Sequence, residues 1–301
     1  MDRKLVQKIR ANVSGKVLQG EPLARHTTYR VGGRAEVLVV PRDADDAARV
    51  YSFVRREGLP LVVIGAGSNV IAPDEGIEGV VLRTASASAR IFFLGGGRVK
   101  ADAGVPLLDL VRATAAHGLS GLEPLAGIPG TVGGAVVMNA GTRDTEAAQL
   151  LGRVEVLTST GRRRMFAAAE CSFGYRRSIF LGTDWFILGA EFKLGRGKAA
   201  ASVEMIDSFL KDRASKYPLD LPSAGSVFRR PSGDYAGRLI EEAGCKGMRV
   251  GDAEVSELHA NFIMNHGAAK ARDIMALVSA IRARVFEKSG VYLELEQIPL
   301  S

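Results

Sequence analysis

The segment from Gly121 to Gly141, GLEPLAGIPGTVGGAVVMNAG, constrains the possible fold more than any other part of the chain. It holds six glycines among small apolar residues, with no Lys, Arg or Asp and a single Glu. Glycine loses more conformational entropy on folding than any other residue, so such a cluster indicates backbone with unusual dihedral angles or backbone lying flat against a large partner. The segment therefore predicts either a surface for a flat anionic ligand or a glycine-rich turn inside a β-rich core.

Length and composition are those of an ordinary globular protein. The 301 residues are 47% hydrophobic, which allows a sizeable core and two or three domains. The two cysteines are too few for a disulfide framework or a zinc site, so we expect reduced thiols and no metal. The first residues, MDRKLVQKIR, are too charged for a signal peptide, and no apolar run approaches the roughly 18 residues of a membrane helix. A cytoplasmic location is the expectation.

The net charge of +7 comes from 40 Lys and Arg against 33 Asp and Glu, and the arginines are spread along the chain. Diffuse basic charge suits a ligand that carries phosphate, whereas nucleic-acid binding usually shows clustered charge. A preference of the host for arginine over lysine explains the excess equally well. A basic nucleotide- or nucleic-acid-binding module without catalysis is therefore the alternative class.

A strand, helix, strand unit leads into a second glycine loop. Asp43 is a suitable N-cap for a helix that runs through Arg56, and Gly58 is its C-terminal stop. The strand Leu61–Ile64 follows. It runs into GAGSN, Gly65–Asn69, where two glycines let backbone N–H groups converge as in a phosphate-binding loop. The loop is not a Rossmann fingerprint, because valine stands where the third glycine would be. A plain turn at the end of a strand is the other interpretation.

The rest of the chain reads as a β-rich middle region and a mixed third region. The expected elements are a helix over Pro106–His117, strands over Arg153–Thr158 and Trp185–Leu194, a helix over Ala200–Ala214 with Ser202 as a cap, a helix over Tyr235–Ala243, a strand over Ala260–Met264, a long helix over Ala269–Lys288 and a last strand over Val291–Ile298.

Three polar residues could carry chemistry. Arg176, in YRRSIF, could grip a carboxylate or phosphate with two parallel hydrogen bonds, or belong to a surface charge pair. Ser226, in AGSVF, lacks the elbow motif of hydrolases, so it is either a proton donor or a turn-forming serine. Glu296 and Glu294 alternate on the last expected strand and project to the same face, so the pattern alone does not choose between them or exclude a solvated face.

Six segments together, in their order along the chain, resemble one family, the UDP-N-acetylenolpyruvoylglucosamine reductases. They are TTYRVGG, VIGAGSNV, LAGIPGTVGGAVVMNAG, FGYRRS, SAGSVF and VSELHANFIMNHG, and with the terminal glutamate they extend from about Thr27 to Glu296. Several are long and low in degeneracy. The resemblance therefore carries weight that no single motif has.

The resemblance implies an α+β protein with an FAD-binding fold of the vanillyl-alcohol-oxidase type. Two α+β subdomains would bind FAD, over residues 1–82 and 83–197, and an α+β substrate domain would follow over 198–301. The last strand, 291–301, could return to the first subdomain. The implied reaction is the NADPH-dependent reduction of UDP-N-acetylglucosamine enolpyruvate to UDP-N-acetylmuramate, for peptidoglycan and cell-wall synthesis.

The family's FAD contacts map onto the two glycine segments, with backbone donors holding the cofactor. The implied contact residues are Gly65, Ala66, Gly67, Ser68, Asn69, Val70, Gly127, Ile128, Pro129, Gly130, Thr131, Gly133, Gly134, Asn139, Ala140 and Gly141.

The catalytic roles implied by the resemblance fall on Arg176, Ser226 and Glu296. NADPH would reduce FAD, whose N5 would give a hydride to the methylene carbon of the enolpyruvyl ether. Arg176 would stabilise the resulting negative charge. Glu296 would assist it, and because a bare carboxylate would repel that charge, we expect this group to act protonated with a raised pKa, or through an intermediary. Ser226 would deliver the proton to the other carbon.

Substrate contacts are expected from four residues: Tyr175, Arg229, Arg238 and Asn261. The partners are then small molecules, with no nucleic acid, no membrane insertion and no obligate protein partner. Another FAD-dependent oxidase or dehydrogenase of the same fold, acting on an alcohol, is the alternative within enzymes.

The chain also departs from the family pattern. The interval from Tyr175 to Trp185 is too short for the long substrate loop of one subclass, so the chain is similar to the compact subclass. Ile298 and Leu258 stand where basic residues are usual, which leaves their role in doubt. Phosphate contacts could come instead from Arg229, Arg230 or Arg238.

Overall fold

The computed structural model describes residues 1–85, 89–143 and 145–301. These residues form two compact units. The first consists of Met1–Gly20, Glu36–Ala66 and Glu78–Arg213, and the second of Glu21–Ala35, Gly67–Ile77 and Ala214–Ser301. The chain therefore passes between the units several times, once inside the Gly65–Asn69 loop. The three-part division with boundaries at 82 and 197 stays a prediction, and its second part includes the four residues outside the described ranges.

The described helices and strands are as follows. The α-helices are α1 Arg3–Ala11, α2 Ala44–Arg56, α3 Leu107–Ala116, α4 Val132–Val137, α5 Ala147–Leu150, α6 Ala199–Lys216, α7 Ala236–Glu242 and α8 Ala271–Ser289. The strands are β1 Lys16–Pro22, β2 Arg34–Val40, β3 Leu61–Ile64, β4 Val70–Ile71, β5 Ile77–Arg83, β6 Ile91–Gly95, β7 Arg98–Asp102, β8 Leu119–Ser120, β9 Leu151–Leu157, β10 Arg163–Ala167, β11 Phe186–Lys193, β12 Gly195–Arg196, β13 Arg249–Val250, β14 Ala253–Val255, β15 Ile263–Asn265 and β16 Ile298–Pro299.

A four-stranded sheet in the order β1, β2, β5, β3 carries the Gly65–Asn69 loop at the end of β3. Helix α2 begins where the Asp43 side chain accepts the Asp46 N–H at 2.8 Å, and it ends before Gly58, which has φ +67°. Its apolar face packs on Val80 and Leu82 of β5, in one buried cluster. This packing fixes the end of β5 beside the parallel strand β3.

A five-stranded antiparallel sheet, in the order β10, β9, β11, β7, β6, forms the rest of the first unit's framework. Alternate residues of its strands, such as Val99 and Val154, are buried together with Leu107 and Leu110 of α3. The Gly121–Gly141 segment packs on the same core through Val132 and is thereby held against β7 and the loop that follows β7.

The second unit is built on α8 and the three-stranded sheet β13, β14, β15. The predicted apolar face of α8, with Ile274 and Leu277, is fully buried. The start of α8 is capped by Asp74, whose carboxylate accepts the N–H groups of Ala271 and Arg272 at 2.8 and 3.0 Å.

Several predicted elements are confirmed, among them the strand Leu61–Ile64 and the Asp43 cap. The prediction of a continuous last strand over Val291–Ile298 was wrong. This segment forms an isolated bridge between Phe228 and Leu295 and contributes Ile298 to the two-residue β16. The prediction that Ser202 caps helix α6 was also wrong. It lies inside α6, where its hydroxyl donates to the buried Glu123 carboxylate at 2.5 Å, a stronger partner than a helix amide.

None of the described helices is both long and apolar enough to cross a membrane. Cys171 and Cys245 are both buried free thiols, one in each unit. Over the described ranges, no group of three or more His, Cys, Asp or Glu side chains is arranged to hold a metal ion.

Candidate active site

The glycine segment Gly121–Gly141 contains a short helix that its sequence did not indicate. Helix α4 begins at Thr131, whose side chain accepts the Gly134 N–H at 3.4 Å. The Gly133 N–H donates to the Ala103 carbonyl at 2.8 Å, and a Cβ on Gly133 would lie only 3.0 Å from the Ala103 Cβ. These first amides of α4 serve packing, so a ligand phosphate would meet the loop ahead of the helix.

The two glycine segments meet at Gly65. A Cβ on Gly65 would lie 2.5 Å from Thr131 Oγ1, closer than any side chain tolerates. Glycine therefore lets the loop after β3 pack directly on the residue that caps α4. The contact lies at the carboxyl ends of the parallel strands β3 and β5, the place where open α/β sheets bind ligands. Such a two-part cradle fits a flat, phosphate-bearing cofactor such as FAD.

The second half of the GAGSN loop is held by the TTYRVGG motif. Gly67 has φ +70°, and a Cβ there would lie 2.1 Å from the His26 carbonyl oxygen. The Gly67 carbonyl accepts both the N–H and the hydroxyl of Thr28, at 3.0 and 3.3 Å. Both the positive φ and the close neighbour therefore require glycine at this position.

Arg176 lies in a tight turn with a strained backbone. Gly174 and Arg177 exchange backbone hydrogen bonds of 3.1 and 3.0 Å across it, and Arg176 has φ +51°. A non-glycine residue in this left-handed region costs roughly 1–2 kcal/mol. Because glycine would be favoured at this turn position, the arginine side chain itself must be what the chain needs there.

Three side-chain hydrogen bonds join this turn to the end of the glycine segment. They run from Asn139 Nδ2 to the Gly174 carbonyl at 3.0 Å, from Arg176 Nη2 to the Gly141 carbonyl at 3.2 Å, and from Ser178 Oγ to the Val137 carbonyl at 2.7 Å. The guanidinium also lies 5.2 Å from the ring centre of Tyr175, which is exposed. Arg176 is thereby brought to the segment expected to hold the flavin.

Asn139, an expected FAD contact, has a fully used side chain. Besides Gly174, its Nδ2 binds Glu146 at 2.8 Å, and its Oδ1 accepts the Ala148 N–H at 2.9 Å. Asn139 is completely buried and has φ +43°. The structure gives it the task of fixing the Arg176 turn, and a direct cofactor contact of this side chain stays a prediction.

Ser226 and Glu296 lie on adjacent segments of the second unit. The Glu296 N–H donates to the carbonyl of Val227 at 2.8 Å, one residue beyond Ser226. Asn69 of the GAGSN loop donates from Nδ2 to the Glu296 carbonyl at 3.2 Å. Two of the three predicted catalytic residues are thus held together with the end of the predicted cofactor loop, whereas Arg176 belongs to the first unit.

The structure separates the two glutamates that the sequence pattern could not. The Glu294 side chain is 70% exposed and faces Arg229 at 3.5 Å, whereas Glu296 is partly buried. The burial favours Glu296 as the residue with a chemical task.

The predicted substrate residues have different surroundings. Asn261 braces the segment after Ser226, since its Oδ1 accepts the Phe228 N–H at 2.9 Å and its Nδ2 donates to the Phe228 carbonyl at 2.8 Å. Arg238 is exposed on α7 and pairs with Asp234 and Glu242, and its hydrogen bond lowers the pKa of Asp234 to about 2. Substrate contacts by these residues stay predictions.

Gln297 is a residue of the site that sequence reasoning missed. It is 2% exposed; its Nε2 donates to the carbonyls of Ala224 and Gly225, both at 3.2 Å, and its Oε1 accepts the Tyr29 hydroxyl at 3.1 Å. The burial of this hydrogen-bonded phenol raises its pKa. Gln297 thus holds the loop before Ser226 in place. A polar residue directly after Glu296 was the available signal.

Comparisons with known proteins identify the domains and the family of this chain. Residues 35–166 match the family model described as an FAD binding domain, and residues 217–298 match that of the UDP-N-acetylenolpyruvoylglucosamine reductase C-terminal domain. UDP-N-acetylenolpyruvoylglucosamine reductase of Moorella thermoacetica is 44% identical over 97% of this chain and 96% of its own length. That of Carboxydothermus hydrogenoformans is 41% identical over 98% of both.

Solved structures give the same result. The crystal structure of the UDP-N-acetylenolpyruvylglucosamine reductase of Thermus caldophilus has a TM-score of 0.78 and 36% identity, over 95% of this chain and 99% of that one. The predicted fold class, an FAD-binding α+β fold with a C-terminal domain, is confirmed. The chain belongs to the UDP-N-acetylenolpyruvoylglucosamine reductase family.

Proposed function

We infer that the chain catalyses the reaction for which its family is named: the NADPH-dependent reduction of enolpyruvyl UDP-N-acetylglucosamine to UDP-N-acetylmuramate, in peptidoglycan precursor synthesis. One observation carries this inference. The identity to the named relatives extends over 97% of the chain and so includes both the FAD-binding part and the C-terminal part. The cofactor is FAD, and the chemistry it supplies when bound is transfer of a hydride that originates from NADPH.

Arg176 is proposed to stabilise the negative charge that develops on the carboxylate side of the substrate. Its turn is fixed by partly buried hydrogen bonds to the glycine segment, so the guanidinium needs little reorganisation during the reaction. A donor positioned in advance is worth most where water is excluded. This supports a role for Arg176 in catalysis rather than in surface charge.

Ser226 is proposed to donate the proton to the substrate carbon that does not receive the hydride. Its segment is braced on both sides, by Asn261 and by Gln297. A hydroxyl is a weak acid, so it can act this way only if its position is fixed and its proton is replaced by a neighbour. We propose that Glu296, whose N–H is bonded to the carbonyl of Val227, the residue after Ser226, is the protonated group that assists Arg176.

The substrates are charged nucleotides made inside cells, and on that ground we propose that the enzyme works in the cytoplasm. It acts on small molecules, and we propose that it needs no obligate protein partner. Activity of the purified chain without added proteins tests the second point, and fractionation of cells that express it tests the first.

The test of the function is a stopped-flow experiment with the purified holoenzyme. The flavin is reduced anaerobically with NADPH and then mixed with enolpyruvyl UDP-N-acetylglucosamine. Rapid return of the oxidised flavin absorbance is expected, with UDP-N-acetylmuramate as product. No reoxidation by this substrate, together with reoxidation by an unrelated acceptor, would instead indicate another dehydrogenase of the same fold.

A further inference from the structure

Arg83 is a partly buried cation at the edge of the predicted cofactor site. It is the last residue of β5, and its partner on the parallel strand β3 is Ile64, the residue before Gly65. Paired residues of neighbouring strands lie about 5 Å apart. The Arg83 backbone therefore lies beside the start of the GAGSN loop, at the carboxyl ends of both strands.

The side chain of Arg83 lies on the face of the sheet that α2 does not cover. Val80 and Leu82 of the same strand pack in the cluster with α2, and side chains alternate between faces along a strand. Arg83 thus shares its face with Val81 and Ile64, both of which are buried. A charged residue at this position is not explained by the apolar core.

The guanidinium of Arg83 is incompletely satisfied. Its Nη1 donates to the Ala85 carbonyl at 3.0 Å, but its Nε is buried and has no hydrogen-bond partner among the described residues. Burial accordingly lowers its pKa, with no opposing charge acting on it. A partly buried guanidinium with an unsatisfied Nε gains stabilisation when an anion binds it.

We propose that Arg83 is an FAD-binding residue whose guanidinium is the counter-charge of the cofactor's pyrophosphate. The pyrophosphate is the anionic part of FAD, and Gly65, which packs on Thr131, directly follows Ile64, the strand partner of Arg83. The FAD binding domain match, residues 35–166, includes this position. Arginine suits the task because its planar fork offers several donors to phosphate oxygens at once.

The test compares Arg83→Met with Arg83→Lys, and uses Arg98→Met as the matched control. Arg98 is an arginine of the same unit whose side chain is 53% exposed and lies 3.8 Å from Glu191. The FAD dissociation constant of the deflavinated full-length chain is measured by flavin fluorescence at two salt concentrations. We expect Arg83→Met to raise it roughly 10- to 100-fold and to flatten its salt dependence, Arg83→Lys to fall between, and Arg98→Met to change nothing.

The melting temperature of the FAD-free chain gives a second readout with the opposite sign. Arg83→Met removes an uncompensated charge and should raise this temperature by a few degrees while it weakens FAD binding. If Arg83 had only a structural role, its replacement would lower both the melting temperature and the affinity for FAD. The proposal is overturned if Arg83→Met binds FAD within threefold of the parent, or if it loses FAD affinity and apo stability together. If Arg83→Met is insoluble, Arg83→Gln takes its place in both measurements. These binding data do not depend on which substrate reoxidises the flavin.

Discussion

Arg176 combines a strained backbone with the role in charge stabilisation that we propose for it. Its φ of +51° would suit glycine, and its guanidinium is nevertheless bound to the Gly141 carbonyl. The neighbouring Arg177 has the same side chain but is exposed, and among the described residues its hydrogen bonds are the backbone bonds to Gly174. Position within the turn, rather than charge alone, distinguishes the two arginines.

Replacement of Arg176 should slow the step in which substrate reoxidises the flavin. We expect Arg176→Ala to lower that rate about 100- to 1000-fold and Arg176→Lys somewhat less, since one positioned donor is worth this much in comparable sites. Reduction of the flavin by NADPH should stay within a few-fold. Stopped-flow traces of both half-reactions measure this, with Arg177→Ala as the control. An equal effect on the two half-reactions would contradict the assigned role.

The two glutamates near the C-terminus offer a matched pair of substitutions. Glu296 is partly buried beside the Ser226 segment, whereas Glu294 is 70% exposed. We expect Glu296→Gln to lower kcat by about 100-fold and Glu294→Gln to stay within threefold. Steady-state kinetics from pH 6 to 9 would also show whether Glu296 acts protonated: in that case the amide, which cannot lose a proton, removes the alkaline limb of the profile. Similar losses in both variants would refute the choice of Glu296.

At the scale of elements, the contact between the two glycine segments rests on a missing Cβ. Gly65→Ala places a carbon 2.5 Å from Thr131 Oγ1, while the other atoms of Thr131 stay at 3.5 Å. We expect this variant to bind FAD at least tenfold more weakly, because the loop after β3 must move away from α4. Removal of Oγ1 in the double variant Gly65→Ala, Thr131→Ala should restore part of the affinity.

A glycine outside the site provides the control for this prediction. A Cβ on Gly195 would have its nearest contact at 3.5 Å, which is ordinary packing. Gly195→Ala should therefore leave FAD fluorescence quenching and the melting temperature almost unchanged. If Thr131→Ala fails to rescue Gly65→Ala, the close contact is not the cause of the loss.

Elements with local signals were predictable, and those made by tertiary contacts were not. Asp43 and Gly58 mark the ends of α2 in the sequence, and both act there. Helix α4, Val132–Val137, contains two glycines and has poor intrinsic propensity, so only its packing on Ala103 makes it helical. The alternation Leu293, Glu294, Leu295 suggested a strand, but a single bridge to Phe228 gives it no neighbour to pair with along its length.

The same limit applies to the candidate site. The glycine loops and Arg176 were visible as motifs, because each needs a residue type at a fixed spacing. Gln297 and Arg83 were not, since their importance comes from burial and from partners distant in sequence, such as Tyr29 and Ile64. Asn139 was seen as a cofactor contact from its motif alone, and only the structure shows the hydrogen bonds that tie it to Gly174.

At the scale of the whole molecule, the proposed chemistry is divided between the two units. Arg176 and the glycine segment belong to the first, and Ser226 and Glu296 belong to the second. Each unit also contains one cysteine, fully buried. The pKa of Cys171 is raised by burial to about 11, and burial likewise raises that of Cys245. The two thiols can therefore report separately on the opening of each unit.

Thiol labelling at pH 8 should be slow in the native enzyme and should resolve the two units. With a pKa of about 11, only about one Cys171 thiol in a thousand is the reactive thiolate at this pH, and burial shields that fraction further. Because the pKa of Cys171 is higher in the folded state than its unfolded value near 9, the protonated thiol stabilises the folded state below that pH. This contribution to stability is lost as the pH rises towards 11, so Cys171 labelling should accelerate steeply over that window. FAD in excess should slow it, because the cofactor binds the folded protein and not a form in which the first unit has opened. The single-cysteine variants Cys171→Ser and Cys245→Ser assign each rate by mass spectrometry. Fast labelling of Cys171 at pH 8 in the presence of FAD would show that the first unit opens far more readily than its buried core implies.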